Sequence, residues 1–215
     1  MDNRSLTQTA QAYVLHTRPI GWNILVLAVL ALSGVALTGC HRSGHNKHAI
    51  PDESTLVFHK ESITVAGKSV EISVSHLPKA MSVAIVPLDQ TKRDTALHTF
   101  ESMQSYLLEG KTDADLKAYA GHFVDGPAKL ATISLKTFET AAKLNEIPTV
   151  IGLIRYNQYT IVVSVLHRTQ FAGTCMIQRD GKFYIDSGAT VFDPVLSQLS
   201  ADKYKVLRTT TAPAQ

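Results

Sequence analysis

Cysteine is scarce in this chain: Cys40 and Cys175 are the two among 215 residues. Two thiols close at most one bridge, so a disulfide framework is excluded as the source of stability. An excess of one charge is lacking too. Lys and Arg number 21 against 18 Asp and Glu, for a net +3. No dense Lys/Arg run occurs and no basic stripe interleaves with aromatics, which argues against a nucleic-acid partner. Gly-rich phosphate loops, G-x-S-x-G, H-E-x-x-H and C-x-x-C are all missing. Chemistry, if present, would have to be assembled from scattered residues. The expectation is a non-enzymatic protein with no catalytic residue, no cofactor and no metal.

Long apolar runs are also few, and the main one lies near the start. Pro19 to Gly39 holds no charged residue, with Ile24–Leu32 as its apolar centre and Arg4 and Arg18 before it. A basic end, an apolar stretch and small residues in sequence have the layout of a secretory signal. An uncleaved membrane helix is the competing reading, because 21 residues at about 1.5 Å each would span a hydrocarbon core of about 30 Å. Ser33, Gly34, Thr38 and Gly39 crowd its far end, which favours a cleavage site.

The residues at that end are Leu37-Thr38-Gly39-Cys40. They resemble the lipobox of bacterial lipoproteins: aliphatic, small, small, cysteine. The resemblance implies cleavage between Gly39 and Cys40, a diacylglyceryl group on the Cys40 thiol and an acyl chain such as palmitate on the new amine. Two or more chains anchor stably where one does not. It further implies an envelope protein held to a membrane through Cys40. With His41 rather than Asp after the cysteine, the expected place is the periplasmic face of the outer membrane in a Gram-negative cell. Loss of the leader would remove Arg4, Arg18 and Asp2 and leave the charge nearly balanced.

Residues 40–54 read as the lipidated cysteine and a flexible tether. His41, His45 and His48 within it form H-x3-H-x2-H, which could bind a transition metal, but an unordered polar tether with chance histidines is the preferred reading. Residues 55–206 read as one α+β domain and 207–215 as a disordered tail. Val70, Ile72 and Val74 alternate with polar residues, so Ser62–Ser75 is predicted as a β-hairpin and Met81–Val86 as a third strand. The period then changes. Ala96, Phe100, Met103 and Leu107 share a helical face ending at Gly110; Thr112 caps a second helix closed by Gly121; Leu135–Leu144 is a third. Thr149–Tyr156, Tyr159–His167, Phe171–Arg179 and Lys182–Asp186 then form an antiparallel meander, its last turn marked by Asp180-Gly181. A short helix is expected after Pro194. The fold class is therefore α+β: two to three helices packed on an antiparallel sheet in a roll-like manner, preceded by a β-hairpin region.

From Thr95 to Ser187 this order resembles the nuclear-transport-factor-like, or cystatin-like, roll. Leu107–Leu116 is similar to that fold's passage from its first to its second helix, and Arg179–Asp186 to its closing strand. A second resemblance is to the photosystem-P-like family, in which a β-hairpin precedes helix and sheet. The roll resemblance implies a cavity between helix and sheet, and His122, Tyr156, His167 and Asp186 are the candidate lining. His122 with Asp125 and Tyr119 nearby could form a base with an orienting carboxylate; Arg155 and Tyr159 join Tyr156 on adjacent strands. The competing reading places all of these in loops or at strand ends. Cys175 is expected to be a buried small hydrophobe.

Two functions follow. The preferred one is an accessory, assembly or protective lipoprotein whose domain binds a protein or another envelope component, and it predicts an exposed apolar or charged patch. The alternative is a small-ligand binder or enzyme using the cavity, and it predicts that the four lining residues converge.

Overall fold

The structure, a computed structural model, describes residues 51–166 and 170–200. The lipobox, Cys40, the histidine-rich tether, His167 and the tail lie outside them. Six strands form one antiparallel sheet in strict sequence order: β1 (His59–Val65), β2 (Lys68–Ser82), β3 (Thr149–Tyr156), β4 (Tyr159–Leu166), β5 (Gln170–Arg179) and β6 (Lys182–Ile185). Four helices lie between β2 and β3: α1 (Ala96–Glu109), α2 (Asp113–Ala120), α3 (Gly126–Thr132) and α4 (Leu135–Leu144). After β6 come the one-turn α5 (Ala189–Phe192) and a helix over 194–200, termed α6. The α+β class and the hairpin start are as the alternation pattern implies.

Turn chemistry sets the register. Ala66-Gly67 between β1 and β2, and Asp180-Gly181 between β5 and β6, carry positive φ at both positions, the twist that two-residue hairpins need. The pairings Val65↔Lys68 and Arg179↔Lys182 close directly on these turns. Of the predicted third strand, only Met81 and Ser82 are strand, as the end of a long β2; residues 83–86 lie outside any strand. The register of β2 against β3 slips between His76 and Met81, across the segment holding Pro78, which has no N–H to give a ladder. The bulge carries the strand past the proline.

The helices are capped locally. Thr112 and Asp115 form a reciprocal capping box on α2, and Thr95 accepts from the His98 N–H on α1. Gly110 ends α1 without a left-handed φ. Its need is space: a Cβ there would stand 2.5 Å from the Phe138 ring and 2.5 Å from the Tyr106 carbonyl. Between Gly121 and Ser134, α3 starts on Asp125 as N-cap with Pro127 in its first turn.

Alternation along the strands separates two cores. On one face Leu77, Val83, Val150, Leu153, Val162, Met176 and Ile185 meet Leu97, Phe100 and Met103 of α1, with Tyr119, Phe123 and Phe138 behind them. On the other, Ile72, Val74, Ile154, Ile161, Val163 and Cys175 meet Ala189, Val195, Leu196 and Leu199 of α5 and α6. The sheet is thus covered on both sides, by four helices on one and by two short ones on the other.

Candidate functional site

The predicted cavity residues fall on opposite sides of the sheet. His122 ends the loop after α2 and is buried on the four-helix face. Its ring meets Tyr106 edge-on with centroids 5.4 Å apart. Its Nδ1 lies 2.8 Å from the Ala118 carbonyl oxygen; a carbonyl only accepts, so Nδ1 carries the proton. Burial, reinforced by nearby Arg93 against the help of that carbonyl, holds the imidazole below its usual range. The backbone beside it extends the sheet edge: Ile185 N–H donates to the His122 carbonyl and Val124 N–H to the Ile185 carbonyl. Asp125 is not its partner, since that carboxylate accepts from the Ala128 N–H.

Tyr156 and Tyr159 pack against the two-helix core. Asp186 follows Ile185 and turns to that same side. One carboxylate oxygen accepts from the Gly188 and Ala189 N–H groups at 3.1 and 2.9 Å; the other stands 3.5 Å from the Tyr159 hydroxyl. Asp186 is thus a cap for the chain entering α5. Of the three described candidates, Tyr156 and Asp186 share a face and His122 is separated from them by the sheet. Cys175 lies beneath, buried, and burial with the charges of Asp186 and Asp193 pushes its thiol up to about 12. This makes it the inert apolar residue expected of it.

Arg155 has a role that the sequence reading did not assign. Its guanidinium lies 3.8 Å from the Phe58 ring centroid and donates to Glu53 at 2.9 Å. The other Glu53 oxygen accepts from the Ala96 and Leu97 N–H groups at the start of α1, at 2.9 and 3.4 Å. One buried carboxylate, within the stretch expected as tether, thereby joins the N-terminal segment, α1 and β3. A carboxylate at a helix N-terminus is favoured by the unpaired N–H groups and the dipole together.

Beside this clamp the Asp94 carboxylate accepts from His98 Nδ1 at 2.7 Å. One turn on, the Glu101 carboxyl is raised by burial against the opposing charges of His98 and Lys92. Such a pair can orient an imidazole, but the nearby Ser102 hydroxyl is engaged with the Lys92 backbone, accepting from its N–H at 2.9 Å and donating to its carbonyl at 2.7 Å. Ser102 is therefore held by the backbone and not free to face it. Lys129 lies 4.6 Å from the Phe123 ring centroid and 5.9 Å from that of Tyr119, covering those rings with its stem. Among the described residues no group of three or more His, Cys, Asp or Glu is placed to hold a metal ion, and no described helix is long and apolar enough to cross a membrane.

What the molecule does present is an apolar projection. Val191 and Phe192 of α5 are 74% and 86% exposed, and Pro194 beside them is exposed as well. The flanking carboxylates do not offset this, because Asp186 caps the entry to α5 and Asp193 caps α6, accepting from Val195 and Leu196 N–H at 2.8 and 3.1 Å. In sequence, Ala-Thr-Val-Phe reads as ordinary core, so nothing there signalled its exposure. No family model, curated protein or solved structure matches the chain.

Proposed function

We propose that this chain is a lipid-anchored envelope protein whose domain binds an envelope component without catalysis. Leader, Leu-Thr-Gly-Cys, polar tether and folded domain follow one another in the order such a protein needs. The reading places Cys40 under diacylglyceryl and acyl chains, facing the periplasm, at the outer membrane in a Gram-negative cell. The single observation that carries the binding role is the Val191–Phe192 projection, a pair of large apolar side chains left exposed while 28 of the described hydrophobic residues are buried.

Intact mass and membrane fractionation of the wild type and Cys40→Ala test the anchor. The wild type is expected to lose residues 1–39, gain acyl mass and sediment with membranes, while the variant keeps its leader. A wild type that retains residues 1–39 without added lipid sinks the anchor.

A further inference from the structure

The sheet has two edges, and they are finished differently. At the β1 edge the Gln198 side chain donates to the Thr64 carbonyl. At the β6 edge two loop segments stand where a seventh strand would. Phe183 N–H donates to the Arg93 carbonyl at 2.8 Å, Ile185 N–H to the His122 carbonyl at 2.7 Å and Val124 N–H to the Ile185 carbonyl at 2.9 Å. Between the last two, Phe123 pairs with Ile185 in parallel. An uncovered strand edge is a template for another strand. Residue 93 and residues 121–124 together form a strap over it.

Two side chains hold the strap. Arg93 donates to the Gly121 carbonyl, and its guanidinium lies 4.9 Å from the Tyr184 ring centroid. It thus ties the two segments to each other and to β6. His122 is buried at the centre. From α1 it meets the Tyr106 ring, and from α2 the Ala118 and Tyr119 carbonyls. The charge acting on its imidazole is that of Arg93. On the α3 side Lys129 lies over Phe123, and the Asp125 carboxylate is taken by the Ala128 N–H. Asp186, just past β6, turns to the opposite face. Among the described residues, then, no carboxylate is paired with this ring. Nδ1 already carries a proton, so a second one on Nε2 sets a positive charge beside Arg93 in a buried place. Lost hydration and like-charge repulsion both oppose that. The ring gains relief by moving toward water, and the His122 backbone that seals β6 is part of the same turn. We infer that residues 121–124 are an acid-released strap: protonation of His122 beside Arg93 frees the β6 edge while the inner strands stay paired. Burial and Arg93 already hold the imidazole below its usual range, which is the direction the strap needs. Release bares the Phe183 and Ile185 N–H groups and the Ile185 carbonyl to an incoming strand. The strap is independent of the lipid anchor and of the α5 projection.

The test is residue-resolved amide exchange of the full chain from about pH 7.5 to about pH 5, corrected for the intrinsic pH dependence of exchange. The amides read are Phe183, Ile185 and Val124 on the strap, with Ile154 and Ile161 of β3 and β4 as the inner reference. The expected result is strap protection that is constant above pH 6.5, the ordinary value for the imidazole. Below it protection should fall by up to about tenfold per pH unit, the limit for one proton, while Ile154 and Ile161 keep theirs. In His122→Phe the strap protection should stay flat with pH. Should that variant not fold, ring-proton titration of His122 in the wild type decides instead, because strap exchange must rise in step with its protonation. A fall shared equally by Ile154 and Ile161 would mean global unfolding and overturn the strap. So would strap protection that stays constant while His122 titrates, or a fall that persists unchanged in His122→Phe.

Discussion

The two faces of the sheet are built from different materials. The four-helix face uses large rings: Phe100, Tyr119, Phe123 and Phe138 lie in its core, and Tyr119 meets Phe138 edge-on with centroids 5.5 Å apart. The two-helix face uses branched aliphatics from the strands, closed by Val195, Leu196 and Leu199 from the C-terminal end of the described fold. Aromatic cores gain from area and from ring geometry. Flat aliphatic faces need only a narrow apolar stripe to cover them. The difference teaches where the molecule can open: a cover of two short helices is released more easily than a layer of four.

The largest expected effect is on the aromatic face. Phe138 is buried between α1, α2 and the end of Gly110, so Phe138→Ala should cost about 3–5 kcal/mol and lower the urea midpoint throughout. Gly110→Ala attacks the same contact from the other side. Its methyl would collide with both the Phe138 ring and the Tyr106 carbonyl, at a cost of about 1–3 kcal/mol. Adding Phe138→Leu should relieve only the ring collision, since the carbonyl cannot withdraw as a side chain can. A double variant as stable as Phe138→Leu alone would show that Gly110 is not spatially required.

On the aliphatic face Leu199→Ala should cost about 2–5 kcal/mol by the same cavity argument. Its signature should differ. Leu199 belongs to a short helix tied to β1 by the Gln198 side chain, which donates to the Thr64 carbonyl at 3.1 Å. Hydrogen exchange in Leu199→Ala is expected to accelerate mainly in α5 and α6, with α1 amides changing only as global stability does. Uniform acceleration across both faces would mean that the two covers open together, and the contrast between them would fail.

How much of this was legible depends on where each residue's partner sits. The meander and its turns were readable because alternation and Asp180-Gly181 are local signals. The helices α1, α2 and α4 were readable from spacing and caps. The length of β2 was not, because Pro78 looks like a boundary unless the bulge is known. The short α3 was missed because its Gly-Pro start and mixed composition carry little periodicity. Glu53 was placed in the tether because its partners are 43 and 102 residues away. His122, Tyr156 and Asp186 all looked plausible for one cavity, since sequence does not say which side of a sheet a loop residue reaches.

The Glu53 clamp sharpens the comparison from a third direction, since it holds the aromatic face shut at the start of α1. Glu53→Ala removes the acceptor of two N–H groups at the start of α1 and an ion pair together, and should cost about 1–3 kcal/mol. Arg155→Ala should cost less. The buried Glu53 carboxylate would lose its ion pair but keep its two backbone donors, and the pair is screened on the side of Arg155, which is 44% exposed. Equal losses in the two variants, read from denaturant midpoints, would mean that the ion pair rather than the helix cap dominates.

The smallest expected effect is a pH dependence on the aromatic face. Burial lowers the His122 pKa in the folded chain below its ordinary 6.5. Its unfolded form therefore takes up a proton first, and stability present above pH 6.5 should be lost as pH falls through the folded value. His76 is lowered as well, chiefly by burial, and contributes with the same sign. Glu101 acts oppositely. Its carboxyl is raised from 4.5, so its penalty is present above the folded value and relieved as pH falls from there toward 4.5. Between pH 7 and the onset of Glu101 protonation the histidines should dominate, and the urea midpoint should drop on acidification. In His122→Phe the ring contact with Tyr106 is kept and the titration removed, so the drop should shrink to the part left by His76. If acidification lowers the midpoint equally in both proteins, His122 is not a proton-linked element of this face. The Cys175 thiol offers the matching readout on the other face: with its pKa pushed up to about 12, it should resist alkylation at pH 8 until α5 and α6 lift away, and Leu199→Ala should speed that labelling.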